Sequence, residues 1–204
     1  IYNASDSAVD LSGYSLSSCS NGCSVEGEWE YPDNLTFDGS LDSGEVFVIC
    51  HSSASGGIQA ECDLSVSYYY FSNGDDVFAL TQMGSGLVMD IVGLVSLTDG
   101  ISGWDVAGVT DATKDHTLVR KASVTSGNAL WLDNPDTGEQ GSAGSDADDS
   151  EWVVMDKPTA DYTPDTLGSH PHDFAPACAH DGDANGDGVV NVSDVVAIVQ
   201  GILG

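Results

Sequence analysis

The sequence contains very few basic residues. Four Lys and Arg stand against 33 Asp and Glu, which gives the 204 residues a formal net charge of −29. Because binding to phosphates needs clustered cations, this balance argues against nucleic acid and anionic lipid as partners. The charge favours solubility, divalent cations and a salty medium, where screening weakens the repulsion between carboxylates. The simpler alternative is that the acidity only keeps the protein soluble.

Long hydrophobic runs and catalytic signatures are also missing. No apolar stretch approaches the ~20 residues needed to cross a bilayer, so the sequence predicts no membrane span. There is no G-x-S-x-G elbow, H-E-x-x-H motif or P-loop, and we expect no enzyme. Asp75 and Asp76 could serve as a carboxylate pair, but NGDD is more typical of a capped turn.

Cysteine is scarce, and none of the C-x-x-C spacings of a zinc site occurs. Cys19 and Cys23 flank a turn-like stretch, and Cys50 and Cys62 bracket a Gly/Ser-rich loop. We predict two local disulfides, which indicate an oxidising compartment and an extracellular or cell-surface location. The fifth cysteine, Cys178, could be free, buried by chance, or paired with another chain or segment.

The first part of the chain consists of short apolar bursts separated by turn residues. The bursts are AVDLSGYSL, EVFVIC, DVFALT, LVMDIVGLV, HTLVRKASV and EWVVMD. This texture, without a long helical period, predicts an all-β sandwich or barrel over residues 1–157. Residues 134–150 are polar and predict a long surface loop. Residues 158–181 contain four prolines and predict a tether, and residues 182–204 form a separate C-terminal element.

Several motifs in register resemble the lamin-tail domain in its secreted microbial version, over about residues 1–172. They are AVDLSGYSL, LDSGEVFVI, NGDDVFAL, WDVAGVTDATKDHTLVRK, DDSEWVV and TLGSH. The resemblance implies an immunoglobulin-like β-sandwich without a catalytic centre. It assigns family signatures to Asp10, Leu11, Ser12 and Gly13, to Asn73, Gly74, Asp75 and Asp76, and to Thr117, Leu118, Arg120 and Lys121.

Members of that family usually begin with a further strand before the segment that matches IYNASDS. The printed chain starts inside a strand-like pattern, so we expect a processed product or a fragment. If the strand is missing, the sandwich has an open edge or groove, and unpaired N–H and C=O groups there are a template for an added strand. The alternative is that the strand lies upstream of the printed residues.

The segment Asp183-Ala184-Asn185-Gly186-Asp187-Gly188 begins a twelve-residue pattern typical of a calcium loop. Carboxylate, amide and carbonyl oxygens at this spacing are the ligands that Ca²⁺ prefers, and Gly188 permits the sharp turn at position six. The predicted ligands are Asp183, Asn185, Asp187, Val189 through its carbonyl, Asn191 and Asp194. With Asp at position twelve and an apolar helix following at about 192–203, the motif resembles one dockerin repeat and is EF-hand-like.

A dockerin has two such repeats packed together, whereas this chain has one. The predicted helix carries an apolar docking face of Val195, Ile198, Val199 and Ile202. Such a face needs a cover, which could be the chain's own sandwich, a second copy or a receptor domain.

Two functions remain open from the sequence. The first is a secreted, non-catalytic structural or assembly module, whose copies join head to tail in a calcium-stabilised filament or surface assembly. The second is an accessory module of a larger secreted enzyme that binds a carbohydrate or a cohesin-like receptor. A sugar-binding platform would use aromatic side chains, for which the candidates are Trp29, Trp104, Trp131, Trp152, Tyr68, Tyr69 and Tyr70.

Overall fold

A computed structural model describes residues 1–67, 71–97, 101–156 and 167–171. The chain divides into a compact unit from Ile1 to His172 and a second unit from Asp173 to Gly204. All described residues belong to the first unit. Its strands are β1 Val9–Asp10, β2 Tyr14–Cys19, β3 Tyr31–Thr36, β4 Ser40–Leu41, β5 Ile49–His51, β6 Leu64–Val66, β7 Val77–Gln82, β8 Leu87–Val92, β9 Thr117–Arg120 and β10 Trp152–Met155. Its helical elements are the one-turn 3-10 helix Leu11–Gly13 and α1, Gly56–Ala60.

The largest sheet has four antiparallel strands in the order β3-β2-β7-β8. The central pair, β2 and β7, is in register from Tyr14↔Gln82 to Cys19↔Val77. Two further antiparallel pairs are β1 with β4 and β9 with β10, and β5 pairs with β6 in parallel. The predicted all-β class is therefore confirmed: the described residues form mostly antiparallel β-structure with little helix, consistent with a β-sandwich.

Two apolar clusters lie on the two faces of the four-stranded sheet. The first cluster contains Val77, Ala79 and Ile91 together with Trp104 and Trp131 from later loops. The second contains Leu11, Phe37 and Leu41, and partly buried side chains from β2, β3, β5 and β7 pack against it. Because side chains alternate along a strand, β7 contributes to both clusters.

Each apolar burst overlaps a strand, but the bursts do not predict every strand and helix of the structure. Strand β3, with the sequence YPDNLT, was hidden by its Pro, Asp and Asn, which are uncommon in strands. Helix α1 lies inside the supposed Gly/Ser loop between Cys50 and Cys62. The prediction that all of 134–150 lies on the surface was wrong, because Ser142 and Ala143 are fully buried.

No helix within the described ranges is both long and apolar enough to cross a membrane.

Candidate interaction groove

An apolar groove of about 720 Å³ lies within the described residues. It is lined by residues 1–4 and 46–49 and by side chains of β2, β7, β8 and β9. Residues 124–127 and 167–170 complete the lining. We call this cavity the groove. Its volume falls within the range of ligand pockets, and its lining is mainly apolar.

One face of the central strand β7 forms part of the groove lining. On one face of β7, Val77 and Thr81 are 0% exposed and Ala79 is 1% exposed. On the other face, Phe78 and Leu80 line the groove and stay half-buried. Because Val77 to Leu80 are four successive apolar residues, cover on both faces of β7 is expected. This face is therefore incompletely covered by the described residues.

One charged cluster interrupts the apolar lining. The Arg120 guanidinium lies 2.6 Å from Asp90 Oδ1 and 2.6 Å from Glu151 Oε2, and its Cζ lies 4.1 Å from the centroid of the Trp152 ring. Asn128 ties the carboxylates together, since its backbone N–H donates to Asp90 and its side-chain amide donates to Glu151. The cluster links β8, β9 and β10.

The pKa of Asp90 reflects two opposing influences in this cluster, burial and the neighbouring Arg120 cation. Burial raises the pKa of the Asp90 carboxyl above its ordinary value, and the neighbouring Arg120 cation opposes the rise without cancelling it. Hydrogen bonds from the backbone N–H groups of Asn128 and Ile91 also favour the ionised form. Two carboxylates share the one guanidinium of Arg120, so the cluster adds no net positive charge to the groove.

Both predicted disulfides are present. Cys19 pairs with Cys23, with a Cα–Cα distance of 5.0 Å, and Cys50 pairs with Cys62 at 5.8 Å. The first pair is buried in the core cluster at the end of β2. The second closes the crossover that carries α1 between β5 and β6. The first disulfide therefore closes the turn that follows β2, and the second closes the crossover between β5 and β6.

The Asp75–Asp76 pair has the geometry of a turn. Asp76 is 7% exposed, and its carboxylate accepts hydrogen bonds from the backbone N–H groups of Asn21 and Asn73. Its carbonyl oxygen accepts one from Trp104 Nε1 at 3.0 Å. These partners occupy both carboxylate oxygens of Asp76 with structural contacts.

The tryptophans do not form an exposed platform. Trp104 and Trp131 are 6% and 2% exposed, and Trp29 and Trp152 pack against the same core cluster. The candidate Tyr68, Tyr69 and Tyr70 lie outside the described residues. The aromatic residues that the structure describes thus give the carbohydrate hypothesis little support.

The remaining predicted site residues lie outside the described ranges. They are the calcium ligands Asp183, Asn185, Asp187, Val189, Asn191 and Asp194, the docking face Val195, Ile198, Val199 and Ile202, and Cys178. Within the described ranges, no group of three or more His, Cys, Asp or Glu side chains is arranged to hold a metal ion. The calcium prediction therefore stays a prediction.

The sequence predicts an open edge or groove but does not identify the residues that line it. One signal was present in β7, where four successive apolar residues, Val77 to Leu80, indicate a strand covered on both faces. A second was Asp90, a lone carboxylate in the apolar run LVMDIV, which indicates a partnered charge. Neither signal names the residues from distant segments that complete the groove.

Comparison with protein-family models, curated proteins and solved structures finds no match to this chain.

Proposed function

We propose that this chain is a secreted, non-catalytic structural module that assembles with other protein chains. The observation that carries the proposal is the groove, where one face of the main sheet presents half-buried apolar side chains without a complete cover. Apolar surface of this extent on a soluble protein commonly marks an interaction site. The two disulfides support an extracellular or cell-surface location, because such bonds persist in oxidising compartments.

The finer architecture belongs to the same proposal. Residues 1–157 form an immunoglobulin-like sandwich of the lamin-tail type, and residues 158–181 form a tether. Residues 182–204 form a single dockerin-like calcium loop and helix, with Ca²⁺ bound by Asp183, Asn185, Asp187, Val189, Asn191 and Asp194. The support for this division comes from the motifs and their spacing.

The assembly we favour is a head-to-tail chain of copies. Each copy offers a partly uncovered sandwich and an apolar docking face of Val195, Ile198, Val199 and Ile202. Two different surfaces that complement one another make a heterologous contact, and such contacts extend into filaments when the rotation does not close a ring. Calcium stabilises the loop that presents the docking face.

Sedimentation velocity tests the proposal. The full chain at about 0.15 M salt is expected to form large species with calcium and to revert to monomers with excess chelator. The variant Asp183→Asn/Asp187→Asn should stay monomeric with calcium because two of its ligands are gone. The control variant Asp136→Asn/Asp148→Asn, which removes the same charge from exposed loop positions, should assemble like the parent chain.

A chain that stays monomeric at high concentration with calcium would contradict the proposal. The receptor- or carbohydrate-binding alternative would then take precedence, and the groove would be tested against separate partners.

A further inference from the structure

We propose that the groove receives an extended strand from a second copy of this chain, paired through its backbone. This inference rests on the proposed function and specifies how the contact is made. It differs from docking of a preformed helix, because a strand would join the groove's own strand edges by hydrogen bonds.

The first edge is the segment 1–4. Ile1 and Phe47 exchange backbone hydrogen bonds of 2.9 and 2.8 Å, and the Asn3 N–H donates to the Glu45 carbonyl at 3.0 Å. Tyr2 faces Val46 between these bonded pairs. In antiparallel pairing the residue at such a position turns its N–H and C=O to the other side. Among the described residues, no group accepts from or donates to the main chain of Tyr2.

The second edge is β9, which pairs only with β10 within the described sheets. Alternate residues of an antiparallel strand point their N–H and C=O groups away from the partner strand. No backbone hydrogen bond from elsewhere in the described chain reaches the main chain of Thr117–Arg120. All four residues of β9, like Tyr2, line the groove. Two unpaired strand edges therefore border one cavity.

A strand suits this combination of polar edges and apolar lining. Its backbone would pair with the edges, while alternate side chains would cover Leu16, Phe78 and Leu80. A helix satisfies its own N–H and C=O groups internally and would leave both edges unpaired. A small apolar ligand would also leave the backbone groups of both edges unpaired. Unpaired backbone groups cost free energy when they are buried, so the occupant that pairs with them is favoured.

The length of chain outside the described part supports a second copy as the source. Residues 158–166 and 172–181 lie outside the described ranges, belong to the predicted tether, and precede the predicted calcium loop and helix. At about 3.3 Å per residue, four residues run alongside an edge of the length of β9, which itself has four residues. Each copy therefore carries far more chain than one groove needs.

A tryptophan placed at the groove tests the site. Ala4 is exposed and lines the groove, whereas Ala8 is exposed and does not. With calcium, Ala4→Trp is expected to weaken self-association about tenfold or more, because the indole competes with the strand for the same space. Ala8→Trp should assemble like the parent chain. Equal assembly of both variants would overturn the inference while leaving the proposed function intact.

Hydrogen exchange distinguishes the mode of contact. On assembly, hydrogen exchange at the amides of Tyr2 and of the outward-facing residues of β9 is expected to slow by about tenfold or more. Assembly without added protection at these two edges would indicate helix docking and would overturn the inference that a strand pairs there. Protection at both edges in a monomer would show that the chain's own residues occupy the groove. It would also overturn the inference that the strand comes from a second copy. Absence of any assembly would instead count against the proposed function.

Discussion

At the scale of single residues, three buried hydroxyl groups are held by partners that are distant in sequence. Thr81 Oγ1 lies 3.0 Å from Ser15 Oγ and 2.8 Å from Ser17 Oγ, and Ser15 donates to Asp33 at 2.6 Å. The hydroxyls of Ser15, Ser17 and Thr81 are buried, so their hydrogen bonds offset the cost of removing them from water. Arg120 resolves a similar problem for Asp90 and Glu151.

Two carboxyls should titrate on opposite sides of the ordinary aspartate value of 3.8. Burial raises the pKa of Asp90, while the backbone N–H of Asp146 and the side chain and N–H of Ser145 lower the pKa of Asp149. Carbon-detected NMR over the acid range measures both. The reverse order of the two titrations would contradict the described surroundings of these groups.

These shifts imply opposite dependences of stability on pH. The contribution of Asp149 is present above about 3.8 and is lost as the pH falls through its folded-state pKa. For Asp90 the folded state binds the proton more tightly. Its contribution is therefore greatest below 3.8 and declines as the pH rises through the raised value.

At the scale of elements, β3 shows how a strand forms from unfavourable residues. The register between β2 and β3 shifts between Leu16↔Leu35 and Ser18↔Tyr31, so Pro32, Asp33 and Asn34 form a bulge opposite Ser17. Asp33 has φ 50° there, and its N–H donates to Ser17 Oγ at 3.0 Å. Because β3 is an edge strand, it tolerates a proline that a central strand would not.

The crossover between β5 and β6 should depend on its disulfide. Cys50 and Cys62 are twelve positions apart, and closing a loop of that length stabilises the folded state by about 3 kcal/mol through the unfolded chain. Cys50→Ala/Cys62→Ala is therefore expected to lower the free energy of unfolding by about 3 kcal/mol in urea denaturation. The matching control is Cys19→Ala/Cys23→Ala, whose shorter loop predicts about 2 kcal/mol. An unchanged urea midpoint for the Cys50/Cys62 variant would refute this account.

At the scale of the whole molecule, the charge of −29 opposes contact between copies. The apolar groove favours contact, and the balance between the two depends on the medium. Salt shortens the range of repulsion from about 30 Å at 0.01 M to about 8 Å at 0.15 M ionic strength. Assembly of so acidic a chain therefore requires screening or bound cations.

Self-association should strengthen as salt is raised at saturating calcium. Sedimentation equilibrium between about 0.01 and 0.15 M salt is expected to show a rising association constant, because repulsion between copies is screened. Asp136→Asn/Asp148→Asn should raise association at low salt, where repulsion is longest in range. Strongest association of the parent chain at low salt would mean that attraction between unlike charges, and not apolar and backbone contact, holds the copies together.

The sequence by itself determined the local features of this protein. Apolar bursts of six to nine residues specify strands through their own alternation, and β2, β7, β8, β9 and β10 lie where these bursts predict them. The disulfides followed from spacing, because cysteines four and twelve positions apart are brought together by a turn and a short crossover. Little long-range information was needed for either prediction.

Only the tertiary structure decided which residues meet across long separations. Ser142 and Ala143 belong to a polar loop region but are buried, because their small side chains let the loop backbone lie against residues 130 and 131, whose carbonyls accept their N–H groups at 2.9 and 3.0 Å. The groove likewise combines segments from near residue 1 to near residue 170. Burial and edge pairing depend on how elements pack, and local sequence periodicity carries no information about partners so far apart.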